Sequence, residues 1–370
     1  MYTNRISTAA RYNLLQSDIK KNEANFNRIT AQLSSGKKIV SITDDPIGAV
    51  NVVNTSRQLG QIETFNQNVG MGKTEIQTMD DLLGVAGGYL STAWDKAVQA
   101  NNQNYGVDAL KALKIEIDEI AKTMVDLANT EFNDNYIFGG ANTKLVPYTM
   151  NDDGSIEYHG TKYDNPDYIR QTEVADGVFE VINTTGDRVF GYYTAQVTDD
   201  SGNKVYTDAN GQDVIEIDDG SGNKSYEYTD GSAYTGDVAD LSAKEDYSGV
   251  MGALRVLSNG IKEVLDAKEA GDSTAETQGW DKMFSSLDMF QESLTQMTNE
   301  QTKFGGVYDR LEMTESTLET NNENLTSYLS QLQDVDLAEA ISNWYQAQYA
   351  YQASLQVAAQ SMNMSLLNFI

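Results

Sequence analysis

LAEAISNWYQAQYAYQASLQVAAQSMNMSLLNFI, residues 337–370, decides how this chain folds. From Ala340 to Ile370 it contains no charged residue, no glycine and no proline. Apolar side chains recur in alternating steps of four and three: Leu337, Ile341, Trp344, Tyr351, Leu355, Ala358, Met362 and Phe369, with Gln348 and Ser365 as the polar members. A repeat of about 3.5 residues sets all of them along one seam of a helix, and a partner helix has to cover that seam. Asp336 followed by Glu339 marks the start as a capping box. Scattered Gln, Asn and Ser keep every apolar run short of the ~18 residues a membrane span needs, so a bilayer is excluded. In a chain of net charge −29, a helix that avoids charge belongs inside something larger than one subunit.

The other end of the chain supplies a similar seam. Tyr12, Leu15, Ile19, Phe26, Ile29 and Leu33 keep the same rhythm, with Asn22 as the polar member. Two such stripes at opposite ends of 370 residues imply a chain that leaves its base, travels out and returns. Residues 1–43 carry a net +5, seven basic against two acidic side chains, which leaves −34 for the rest. These basic residues share a helix with an apolar seam, so they point to docking on an acidic or uncharged protein surface. The acidic balance argues against nucleic acid and anionic membrane as partners.

Composition removes several chemistries. There is no cysteine, so disulfides, thiol catalysis and thiolate zinc sites are out. The single histidine, His159, rules out HExxH, which needs two, and makes a Ser-His-Asp triad an unsupported reading. It sits in a turn-like context and reads as an exposed bystander. No phosphate loop, dinucleotide fingerprint, nucleophile elbow or metal-ligand cluster occurs, so no enzyme and no cofactor is expected. The N-terminus lacks the apolar run of a secretory signal, so classical signal-peptide export is not expected.

Between the ends, Ser34-Ser35-Gly36 breaks the first helix, and Asp44-Asp45-Pro46 starts a second that is expected to reach about Gln103. Its seam is Ile62, Phe65, Val69, Ile76, Met79, Leu83, Ala86 and Leu90, with Gly72 in register. A third helix is expected from about Val107 to Asn129. From Asn135 to Glu245 the pattern turns to short alternating runs, such as Val178–Ile182 and Val214–Ile217. Turn clusters at 152–155, 199–203, 210–211 and 218–223 separate them. This segment carries net −14 and matches no complete calcium loop. Helix is expected again from about Asp246. From Trp280 to Leu332 the seam runs Met283, Leu287, Phe290, Leu294, Met297, Phe304, Tyr308, Leu311, Leu318, Leu325 and Leu329, with Gln301, Glu315 and Asn322 polar. Gly305-Gly306 is a candidate bend, since each glycine weakens a helix by about 1 kcal/mol.

The resulting fold class is α+β: a long antiparallel helical bundle or coiled coil formed by both ends of the chain, with an inserted small all-β domain. The expected division is a terminal coiled-coil layer at 1–43 and 335–370, a helical bundle at 44–134 and 246–334, and an outer β domain at 135–245.

Four stretches carry a resemblance. They are Arg5–Thr8 with Tyr12; Gln32–Lys37 with Thr43–Pro46; Asn135–Gly140; and Asp334–Ala340 with Ala350–Ala353 and Ser365–Ile370. Together they resemble the bacterial flagellin family, and Asn135–Gly140 resembles its hook–filament junction branch. The resemblance covers the helical ends, about two thirds of the chain, and none of 141–245. It implies a structural subunit exported by the flagellum's own type III apparatus and assembled extracellularly as a ring of copies. Its implied partners are the hook-end junction protein (hook-associated protein 1), flagellin and, before assembly, an export chaperone. The expected assembly interface is Tyr12, Leu15, Ile19, Phe26, Ile29, Leu33, Leu337, Ile341, Trp344, Tyr351, Leu355, Met362 and Phe369. The alternative is flagellin itself, the bulk filament subunit of the same architecture.

Overall fold

The computed structural model describes residues 8–100, 105–208, 210–218 and 224–367. It divides into two compact units, one of Met1–Asn66 with Ser316–Ile370 and one of Gln67–Glu315.

The first unit holds α1 (Thr8–Ser35), the start of α2 (Pro46–Ala100), the end of the long helix that closes at Gln333, and the last helix, Leu337–Leu367. Asp45 accepts a hydrogen bond from the Gly48 amide at 3.0 Å and so caps α2, as Asp44-Asp45-Pro46 predicts. Asp336 caps the last helix in the same way, accepting from Ala338 and Glu339 at 2.9 and 3.2 Å.

The second unit is a helical bundle carrying the β segment. The α2 seam is buried as read, from Val69 through Ile76, Met79, Leu83, Ala86 and Leu90, and it continues through Ala93 and Ala97. Gly72 keeps the register because Ile182 and Leu311 lie over it, 3.4 and 3.5 Å from where a Cβ would sit. Helix α3 (Val107–Ala128) buries Leu110, Leu113, Ile117, Ile120 and Met124.

The strands follow as β1 (Glu131–Phe132), β2 (Asn135–Tyr136), β3 (Tyr148–Met150), β4 (Ile156–Tyr158), β5 (Gln171–Ala175) and β6 (Val178–Val181). A one-turn helix α4 (Gly186–Val189) then precedes β7 (Tyr192–Thr194), β8 (Val205–Thr207), β9 (Asp213–Asp218), β10 (Lys224–Tyr228), β11 (Ser242–Ala243) and β12 (Asp246–Ser248). They form two four-stranded sheets, ordered β12-β7-β4-β3 and β10-β9-β8-β11, and two hairpins, β1-β2 and β5-β6. Every pairing is antiparallel. Asn133 and Asp134, both at positive φ, close the first hairpin as a two-residue turn. In the turn at 199–203 the Asp199 carboxylate accepts from the Asn203 side chain and from the Asn203 and Ser201 amides, which holds its pKa below the ordinary range. Of the turn at 218–223, only Asp218 lies within the described residues. His159 is exposed, as expected, and its ring meets the Thr149 hydroxyl at 2.7 Å.

The expected return to helix at Asp246 comes three residues later. Residues 246–248 pair with β7, and α5 (Gly249–Ala270) begins at a left-handed Gly249 with φ +59°. No side chain fits there, since a Cβ would meet the Gly191 nitrogen at 2.8 Å. Helix α6 (Ser273–Gln333) runs unbroken through Gly305-Gly306, a length of roughly 90 Å.

The α6 seam differs from the one read in the sequence. Met283, Phe290, Met297, Phe304 and Leu311 are buried, but the positions between them that bury are Ser286, Ser293, Glu300 and Val307. Leu294 stays 42% exposed. The buried stripe has turned by about half a residue step toward the smaller side chains, because neighbours approach closely on that side. Gly260 of α5 lies against the Gly279 carbonyl of α6, 2.9 Å from where its Cβ would stand. Gly260→Val is therefore expected to lower stability by about 1–3 kcal/mol, read as a shifted denaturation midpoint with unchanged m-value.

Candidate assembly interface

Helices α1 and α7 (Leu337–Leu367) lie antiparallel along each other. Phe26 stacks on Tyr351 with ring centroids 6.1 Å apart and touches Trp344 at 5.7 Å, and the Trp344 indole N–H donates to the Thr30 hydroxyl at 3.0 Å. On α1 the face toward α7 is the expected seam: Ile29 is buried, Leu15, Ile19, Phe26 and Leu33 are half-buried, and Tyr12 is exposed. On α7 two stripes share Trp344, Tyr351 and Ala358. The stripe covered within the subunit adds Ala340, Ala347, Ser354 and Ser361. The stripe read from the sequence adds Leu337, Ile341 and Leu355, which are 56%, 44% and 44% exposed. Beside the shared Trp344 and Tyr351, the residues covered by α1 are thus small, and the aliphatic Leu337, Ile341 and Leu355 stand open. Phe369 and the side chain of Met362 lie outside the described residues.

The connectors beside this pair explain the Gln32–Lys37 and Thr43–Pro46 stretches. Gly36 at φ +69° ends α1, and the Gln32 side chain donates to the Lys38 carbonyl at 2.6 Å. The Lys38 amide donates to the Gln333 carbonyl at 2.5 Å and the Val335 amide to the Gly36 carbonyl at 3.0 Å, so the two connectors hold each other. Asp44 accepts from the Val40 and Ser41 amides at 3.2 and 2.9 Å. A Cβ on Gly48 would fall 2.6 Å from the Ile39 Cδ1, so a side chain there would displace the tip of Ile39 and the capping Asp45 carboxylate.

Asn135–Gly140 is a core element of the second unit. Ile137 and Phe138 are fully buried, and Phe138 meets Phe190 edge-on at 5.0 Å. The Phe138 carbonyl accepts from the Gly186 amide and from the Tyr158 hydroxyl, at 2.9 and 2.8 Å. A Cβ on Gly139 would lie 2.7 Å from the Asn142 carbonyl, and Gly140 sits at φ +66°. Phe138→Ala is expected to lower stability by about 3–5 kcal/mol by equilibrium unfolding, through the cavity it leaves beside Phe190.

One anchor escapes the sequence reading. Glu300 is 1% exposed on α6, where it accepts from Thr184 at 3.1 Å and from Arg188 at 2.5 Å. The Arg188 guanidinium in turn lies 3.8 Å over the Tyr163 ring. The seam drawn through Gln301 assigns Glu300 to solvent, and only an acid breaking an apolar stripe could have signalled it.

These features define a class: chains whose two ends pair as helices, whose middle is a helical bundle with a β insertion, and whose last helix keeps an open, uncharged face. Residues 6–143 match the bacterial flagellin N-terminal helical region and residues 287–370 the bacterial flagellin C-terminal helical region, together more than half of the chain. The chain belongs to the bacterial flagellin family. It is 28% identical over 196 residues to flagellar hook-associated protein 3 of Salmonella typhimurium, covering 52% of this chain and 58% of that protein. The match therefore spans little more than half the length of that relative. A flagellin of Clostridium tyrobutyricum is 24% identical over 362 residues, covering 92% of this chain and 94% of that one. The crystal structure of flagellar hook associated protein-3 from Legionella pneumophila shares the fold, with a TM-score of 0.54 at 17% identity over 76% of this chain and 98% of that chain.

Proposed function

We propose that this chain is a structural subunit of the flagellar axis at the hook–filament junction, assembled there as a ring of copies. It stands between the hook-end junction protein and the flagellin filament, is accompanied by an export chaperone before assembly, and is exported by the flagellar type III apparatus to the cell exterior. The terminal layer, residues 1–43 and 335–370, is the assembling part, and the role is mechanical rather than catalytic.

The observation that carries the reading is the open face of α7. Leu337, Ile341 and Leu355 stand exposed on a helix without charge beyond Glu339. Copies arranged about one axis would bring any charge there close to its own repeats, desolvated and unpaired, so an uncharged helix suits that position. The junction rather than the filament is supported by the match to the Salmonella protein. The long match to a flagellin supports the second reading, a bulk filament subunit. Quantifying the chain on flagella of graded length separates the two. A fixed amount per flagellum is expected, and an amount that rises with filament length would establish the second reading.

A further inference from the structure

We propose that the outer face of α1 docks a second copy of this chain, through the acidic face of that copy's α6 at Glu319 and Glu323. This rests on the function proposed above only in taking the copies to assemble with one another. Leu14, Lys21 and Arg28 follow each other at intervals of seven, with the small residues Ser17, Ala24 and Ala31 between them. Each stands two residues from a member of the α7-facing seam (Tyr12, Ile19 and Phe26), which places it about 200° around the helix, on the far side. All three are exposed, and Arg11 and Lys20 flank them, with Asp18 at the margin.

Among the described residues no ion pair neutralises this face. Arg28 donates only to the uncharged Asn25 side chain, at 3.0 Å. Lys20 and Lys21 have no ion-pair partner among the described residues. The helix that α1 does pack on carries no charge from Ala340 onward. On α6, Glu319 and Glu323 form an exposed like-charge pair four residues apart, also without an ionic partner among the described residues. Such a spacing is repulsive on an isolated helix, and an opposing cation removes the penalty.

The identity of the occupant follows from charge. An α1 face cannot meet another α1 face without opposing like charges, whereas the Glu319/Glu323 face that every copy also carries is of the opposite sign. A head-to-tail contact uses each face once, and that is the contact from which rings close.

The chain has no cysteine, so single cysteines report proximity without background. Lys21→Cys and Glu319→Cys variants with different tags are co-expressed in a strain lacking the parental copy, and the purified flagella are oxidised. A disulfide-linked dimer bearing both tags is expected, and none from Lys21→Cys expressed alone. The charge-reversed K21E/R28E chain is expected to reduce filament-bearing cells at least tenfold, with E319K/E323K in the same chain restoring them. Circular dichroism of the purified reversed chain guards against misfolding, and K21Q/R28Q, with a smaller loss, serves if the reversed chain does not fold. The proposal is overturned by a Lys21→Cys disulfide to another flagellar protein, by no mixed dimer, or by a reversed chain that assembles like the parent. Immunogold labelling of either tag shows separately whether the copies lie at the junction or along the filament. A mixed dimer along the filament would keep the docking and reject the junction.

Discussion

A Leu355→Asp variant is expected to fold as well as the parent and to leave the cells without filaments. Leu355 is 44% exposed in the subunit, so the aspartate stays in water there and costs no more than an ordinary surface change. In the assembly the same position lies on the open stripe of α7, where the chain offers no cation from Ala340 to Ile370. Burying a carboxylate without a partner costs several kcal/mol, and symmetry repeats the cost in each copy. Circular dichroism and thermal unfolding should match the parent, while flagellin accumulates in the medium of the mutant strain. Normal filaments in that strain would remove α7 from the assembly interface. Leu355→Gln, polar but uncharged at the same position, is the control.

In the free subunit, amides of α1 and α7 are expected to exchange with solvent about a thousandfold faster than those of α5. Helix α5 has fourteen buried residues among its 22, whereas the described residues of α1 and α7 contribute only Ile29, Ala340 and Ala347. A helix pair with so small a buried core opens locally at little free-energy cost, because most helical stability in proteins comes from tertiary packing. A difference of about 4 kcal/mol in opening free energy corresponds to that factor. Hydrogen exchange read by mass spectrometry tests it, and assembled flagella should show the difference erased. Equal protection of α1, α7 and α5 at low subunit concentration would show that the terminal pair is complete without neighbours.

Both expectations depend on how well the sequence reports faces. On α2 the apolar stripe is narrow, flanked by Asn, Gln, Thr and Asp, and its buried residues match the reading. On α6 and α7 the apolar arc is broader than one seam, and periodicity alone selects the larger side chains. The close approach of α5 to α6, and of α1 to α7, favours Gly, Ala and Ser instead. The covered stripe therefore lies beside the predicted one, with Leu294, Ile341 and Leu355 left outside. Glu300 became invisible by the same displacement. In the β segment the turns were legible, because Gly154, Gly202 and Gly211 take the left-handed backbone that turn chemistry announces. The partnering of β12 with β7, fifty residues away in sequence, was not legible, since it depends on cross-sheet burial of Tyr193 and not on any local signal.

The paired connectors have a mechanical meaning. The segment running from α1 into α2 and the segment running from α6 into α7 are joined side by side in antiparallel sense, through Lys38 to Gln333 and Val335 to Gly36. Tension applied along α1 or α7 therefore does not travel down a single covalent thread. It passes sideways through two hydrogen bonds that are strained together in shear, and two strands carry what one would otherwise bear alone. In the axial role proposed above, such load sharing would serve where the helices are interrupted, because that is where an unsupported backbone would stretch first.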